Sequence, residues 1–145
     1  MPITFSDADA RVSLTNRRKL KSFIEHVLCN EEGWSIINLS YVFCSDPYLL
    51  DINKRFLDHD YYTDIITFDL GTGVEDQIEG EIYISIDRVK DNAKSLKISN
   101  TEELLRVIFH GILHLCGYRD KTPKEIKAMR AAEDKYLRLY SQYSL

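Results

Sequence analysis

The apolar positions change period several times along the chain, and each change marks a new element. Between residues 16 and 29, Leu20, Phe23, Ile24, Val27 and Leu28 recur at spacings of three and four, which predicts a helix with one buried stripe. His26 lies in the same segment and reads as a surface or capping residue rather than a ligand. Residues 35–44 then carry Ile36, Ile37, Leu39, Tyr41, Val42 and Phe43, a β-branched and aromatic run that predicts a strand. Ser45-Asp46-Pro47 opens the next helix, which contains Tyr48, Leu49, Ile52 and Phe56, because proline fits a first helical turn. Residues 64–70 and 79–86 read as strands joined by a glycine- and acid-rich turn at 71–76. A short strand at 3–6 and a short helix at 87–96 complete this part of the pattern.

The segment that follows is apolar on almost every side. Leu104, Leu105, Val107, Ile108, Phe109, Ile112, Leu113, Leu115 and Cys116 leave little polar surface, which predicts a central, buried helix. Asn100 and Glu103 have the spacing of a capping box at its start. Thr122-Pro123-Lys124-Glu125 repeats that signal for the last helix, with Ile126, Met129, Ala132, Tyr136 and Leu139 expected to face inward. Strands interspersed with helices in 145 residues predict a single α/β (α+β) domain spanning 1–145.

Composition narrows the class. An apolar fraction of 44% with nine tyrosines fits a packed globular core. Cys29, Cys44 and Cys116 are widely spaced and form no Cys-x-x-Cys pair, so they read as reduced packing thiols. No apolar run approaches a membrane span, and the first residues lack the basic-then-apolar order of a secretion signal. A cytoplasmic location without membrane attachment is therefore expected. The net charge of −4 argues against a strongly basic nucleic-acid binder, although a few well-placed cations suffice for local phosphate contacts. Arg17, Arg18, Lys19 and Lys21 read as an ordinary solvated helix face, whereas Arg119 and Lys121 flank a candidate ligand.

The candidate chemistry lies in Phe109-His110-Gly111-Ile112-Leu113-His114-Leu115-Cys116-Gly117-Tyr118-Arg119-Asp120. Residues four apart share a helix face with Cβ atoms roughly 5–6 Å apart, so His110 and His114 can hold one divalent ion. Gly117 can end the helix in a left-handed conformation and turn the chain back, which lets Asp120 supply a third, oxygen ligand. Three protein ligands with a position left open is the arrangement of a catalytic zinc. Gly111 occupies the place where zinc peptidases of the His-Glu-x-x-His type carry their general base, which argues against peptide hydrolysis by that route.

This segment resembles the signature of the YbeY family of bacterial rRNA-maturation endoribonucleases. Two further blocks agree, in the family's order. Asn53, Phe56 and His59-Asp60, followed by Thr63-Asp64-Ile65-Ile66-Thr67-Phe68, resemble its asparagine-bearing helix and following strand. Gly80-Glu81-Ile82-Tyr83-Ile84-Ser85 resembles its Gly-Asp-Ile-x-Ile-Ser strand. The resemblance implies a mixed four-stranded sheet with helices around a central metal-bearing helix, and a cleft walled by residues 63–68 and 80–85. It also implies a metal-dependent endoribonuclease acting on single-stranded RNA, in maturation of the small-subunit rRNA 3′ end and in ribosome quality control. The ribosome or small-subunit assembly proteins would be its partners, and DNA would not. Two positions depart from the family. Asp120 stands where a third histidine is usual, and Leu57 stands where many relatives have an arginine thought to contact RNA or the reacting phosphate.

The expected cofactor is one divalent metal, zinc first, held by His110, His114 and Asp120. A carboxylate in that set also suits manganese or iron. A bound ion would bring the pKa of water towards ~7, with Arg119 or Lys121 offsetting charge on the phosphate. Attack by a ribose 2′-OH would instead need a base, for which His59 is the available imidazole. Two alternatives stay open: a ribosome-assembly or RNA-binding factor with a structural metal, and a metallohydrolase of another substrate.

Overall fold

The structure is a computed structural model that describes residues 2–12, 14–71 and 73–145. Thr72, inside the turn expected at 71–76, lies outside the described residues, as do Met1 and Ser13. The elements run β1 (Ile3–Asp7), α1 (Arg17–Glu25), β2 (Ser35–Cys44), α2 (Asp46–Leu57), β3 (Ile65–Asp69), β4 (Gln77–Ser85), α3 (Ile86–Leu96), α4 (Asn100–Leu115) and α5 (Pro123–Gln142). The strands form one sheet in the order β1-β2-β4-β3. β1, β2 and β4 run parallel to one another, and β3 runs antiparallel along the edge of β4 with Ile65 opposite Ile84 and Asp69 opposite Gly80. The mixed four-stranded sheet is therefore the one the resemblance implied.

β4 alternates strictly, with Ile78, Gly80, Ile82 and Ile84 buried on one face. That face and the inward residues of β2 (Leu39, Tyr41, Phe43) meet Leu20, Phe23 and Ile24 of α1 and Ile108, Phe109 and Ile112 of α4 in the main core. α2 covers the other face through a smaller cluster of Cys44, Leu49 and Ile66. α4 comes so close to the sheet that a Cβ on Gly111 would lie 2.9 Å from a methyl of Ile82 and 3.0 Å from one of Ile65. The glycine after His110 is thus a packing requirement of the helix that carries the histidines.

Several sequence expectations need adjustment. The first helix is α-helical only to Glu25 and continues as a π-helical turn over His26–Glu31. α4 is capped by Ser99, whose side chain accepts from the Glu102 amide, so Asn100 is the first helical residue and no Asn100–Glu103 box forms. Glu103 is freed from capping and turns inward. The box predicted for α5 is present, with Thr122 and Glu125 bonding reciprocally. Ile126 stands 50% exposed at a cleft rim while Met129, Ala132 and Tyr136 are buried. Finally, β4 is an interior strand covered by β3 and α4, so residues 80–85 do not form a cleft wall; the edge strand β3 does.

Candidate metal centre

The last two turns of α4 bring His110 and His114 onto one face, with ring centroids 4.7 Å apart. The helix stops at Cys116, and Gly117 takes φ +102°, a conformation that a Cβ would oppose. The reversal carries Tyr118 back under the helix, where its amide bonds the Leu113 carbonyl at 3.0 Å. Asp120 then points at both imidazoles, its Oδ2 lying 3.3 Å from Nε2 of His110 and 3.4 Å from Nε2 of His114. Ligands about 2.1 Å from a tetrahedral ion are separated by about 3.4 Å, so the two distances from Asp120 are those between corners of such a site. Among the described residues this is the one group of three or more such side chains whose ligand atoms converge, all within 4.8 Å.

The opposite ring nitrogens are engaged. His110 Nδ1 lies 2.6 Å from Oε2 of Glu133 on α5, and His114 Nδ1 lies 2.9 Å from the Tyr118 carbonyl. Acceptors at Nδ1 place the proton there and leave each Nε2 lone pair facing Asp120. Burial disfavours the charged form of His110, yet the Glu133 hydrogen bond and the Glu133, Asp120 and Asp64 charges raise its pKa above the ordinary value. Burial pushes Glu133 upward, but His110 and Arg106 outweigh it and hold its carboxyl below the usual range. Glu133 is therefore an ionised partner for the ring at neutral pH. Cys116 is a packing residue, as expected: burial pushes its thiol up to about 12.

A cleft of about 850 Å³ opens over the triad. Thr63, Asp64, Thr67 and Asp69 line it from β3 and the loop before it, and Asn53 and Leu57 line it from α2. Asn53 is buried and donates to the Tyr61 carbonyl at 2.9 Å, fixing the loop that carries His59. His59 reaches the rim with Nδ1 3.0 Å from the Tyr61 hydroxyl. Arg119 and Lys121 do not line the cleft; both are exposed in the turn leading to α5. Adjacency to Asp120 in sequence does not bring either side chain onto the cleft wall.

The cations on the cleft wall are instead Arg106 and Arg130. Arg106 is nearly buried between Glu133, at 3.0 Å, and Asp134, at 2.7 Å. Glu103, two helical turns before His110, is 5% exposed, and its Oε1 is buried without a hydrogen-bond partner. Burial, followed by the nearby Asp64, raises its pKa. Asp64 is raised as well, by burial first, while His110 pulls the other way. Sequence reasoning missed Glu133, Glu103 and both arginines. The available signal was an acid inside an apolar stripe, since Glu133 shares its face of α5 with Met129, Ala132 and Tyr136.

Residues 3–141 match the protein family described as Endoribonuclease YbeY. An Endoribonuclease YbeY from Cytophaga hutchinsonii is 51% identical over 137 residues, covering 94% of each chain. One from Bacteroides fragilis is 41% identical over 142 residues, 98% of this chain and 100% of that one. Among solved structures, the solution structure of TM1509 from Thermotoga maritima superposes with a TM-score of 0.67 at 28% identity, covering 95% of this chain and 88% of the other.

Proposed function

The chain belongs to the YbeY family of endoribonucleases, and from that premise we propose that the cleft over His110, His114 and Asp120 is its metal-dependent site for cutting single-stranded RNA. The observation that carries this is the convergence of two Nε2 atoms and a carboxylate oxygen at 3.3 and 3.4 Å while both Nδ1 atoms are held from behind. Two neutral imidazoles and a carboxylate fit a zinc ion, with manganese or iron as the other candidates. When bound, such an ion supplies hydroxide near neutral pH and polarises a phosphoryl oxygen.

The chain's own residues do the rest. Glu133 and the Tyr118 carbonyl orient the two rings and increase their basicity as ligands. The open cleft, walled by the edge strand β3, admits an extended strand; unstacked bases are the usual object of RNA recognition. In the alternative route, where the ribose 2′-hydroxyl rather than hydroxide attacks, His59 at the rim is the imidazole available to take its proton. Ribosomal RNA is the proposed natural substrate, at the small-subunit 3′ end, in ribosome quality control and in company with ribosome-assembly proteins. The proposed setting is the cytoplasm, and residues 1–145 are proposed to act as one domain; no described helix is long and apolar enough to cross a membrane.

The test is cleavage of a single-stranded RNA by purified protein of measured metal content, beside His114→Ala with its fold checked by circular dichroism. Cleavage by the wild type, lost together with the metal in the variant, is the expected result. Equal residual cleavage in both would identify a contaminating nuclease and remove the proposal.

A further inference from the structure

A nuclease cleft has to receive a polyanion, and the wall of this one is acidic. Asp64, Asp69, Glu103, Asp120 and Glu133 line it against two arginines. α2, which faces the cleft through Leu57, offers no cation there, because Arg55 turns away to pair with Asp51 at 3.2 Å and lines a separate groove. Phosphate recognition depends on a few well-placed cations, so the two guanidiniums on the wall matter more than the net charge.

They are not equivalent. Arg106 makes short bonds to two carboxylates and has a side chain only 17% exposed. Releasing it would strand the buried Glu133, the residue that orients His110. Arg130 touches the same Oε1 of Glu133 only at 3.5 Å, and its side chain is 58% exposed. Glu133 already accepts from Arg106 through Oε1 and pairs with His110 through Oε2, so it does not need Arg130. Positions 130 and 133 share one face of α5, which sets the guanidinium of Arg130 on the same side of the cleft as the imidazoles. A planar, always-charged fork that is solvated and in surplus is suited to a phosphate.

We propose that Arg130 is the phosphate-binding residue of this cleft, gripping the RNA backbone beside the metal centre from α5, opposite Leu57. The proposal rests on the nuclease reading of the site. Its test compares wild type, Arg130→Ala and Arg130→Lys as metal-loaded proteins, by cleavage kinetics and by binding of a short fluorescein-labelled single-stranded oligoribonucleotide across a salt series. In Arg130→Ala, KM rises about tenfold with a smaller change in kcat, and the salt slope of binding becomes shallower by about 0.7. Arg130→Lys keeps the slope and recovers most of KM. Metal content and melting temperature stay at wild-type values, since Glu133 retains Arg106 and His110.

An unchanged slope and KM in Arg130→Ala would overturn the proposal. So would a loss of activity that tracks loss of metal at an unchanged slope, because Arg130 would then act only through Glu133. Absence of cleavage by the wild type would sink the nuclease reading instead, and the salt slope would still decide whether Arg130 meets phosphate.

Discussion

Two acid clusters stand out in this fold, and their carboxylates are treated in opposite ways. Where β2 and β4 end, Ser45 and Ser85 cap α2 and α3 side by side. There Asp9 accepts from both the amide and the hydroxyl of Ser45, Asp46 accepts from Ser85 at 2.6 Å and from Arg88 at 2.8 Å, and Asp87 accepts from the Asp46 amide. Every carboxylate of that cluster has a donor within the chain. In the cleft, Glu103 keeps a buried oxygen with no partner, and Oδ2 of Asp120 lies 3.3 and 3.4 Å from two imidazole nitrogens. The capping carboxylates hold helices to the sheet, whereas Asp120 converges with two imidazoles as a candidate ligand set. The contrast predicts that variants of the groups that hold or orient the imidazoles change binding and chemistry, and that variants of the capping cluster change stability.

The largest effect falls on the cleft side. Glu133→Gln weakens the acceptor behind His110, and supporting partners of this kind are worth about 10–100-fold in metal affinity. The expected result is a loss in that range by competition with a chromophoric chelator, with a parallel fall in cleavage at limiting metal. Wild-type affinity in the variant would mean that Nδ1 of His110 needs no carboxylate, and Glu133 would then belong with the satisfied, purely architectural acids.

On the capping side, Asp46→Ala should cost stability and nothing else. It removes the acceptor for the fully buried Ser85 hydroxyl and for Arg88, and stranding such donors costs about 1–3 kcal/mol. Urea unfolding should show that loss, while metal affinity and cleavage per folded molecule match the wild type. A cleavage defect in a fully folded Asp46→Ala protein would break the separation between the clusters.

The two clusters were also unequally legible in the sequence. Ser45-Asp46-Pro47 announced the start of α2, because a short polar residue followed by proline has few other uses. The His110–His114 pair and Asp120 were legible for a similar reason: ligands on one helix and the turn after it are placed by local geometry alone. Glu133 joins His110 from α5, 23 residues away, and no local pattern states which acid on one helix meets which imidazole on another. Glu103 has the spacing of a capping box with Asn100, but Ser99, extended just before α4, is the better placed cap. Arg119 and Lys121 flank Asp120 in sequence, but orientation in the turn decides what faces the cleft.

Glu103 gives the smallest predicted effect, and one of opposite sign to Asp46. Burial holds its carboxyl above the ordinary carboxylate range of about 4.3, so the folded protein binds this proton more readily than the unfolded chain. Stability therefore falls as pH rises from about 4 through the raised pKa and then levels off. Glu103→Gln removes the charge and should stabilise the protein at neutral pH by up to about 1 kcal/mol, a fraction of the cost of a buried, unpaired acceptor. Below about pH 4 the advantage should vanish, because the wild-type carboxyl is then neutral too. Thermal melts of both proteins from about pH 3 to about pH 8 check this. A glutamine variant less stable than wild type at pH 7 would show that the Glu103 charge is compensated by Arg106 and Arg130, and the cleft would then be as well satisfied in isolation as the capping cluster.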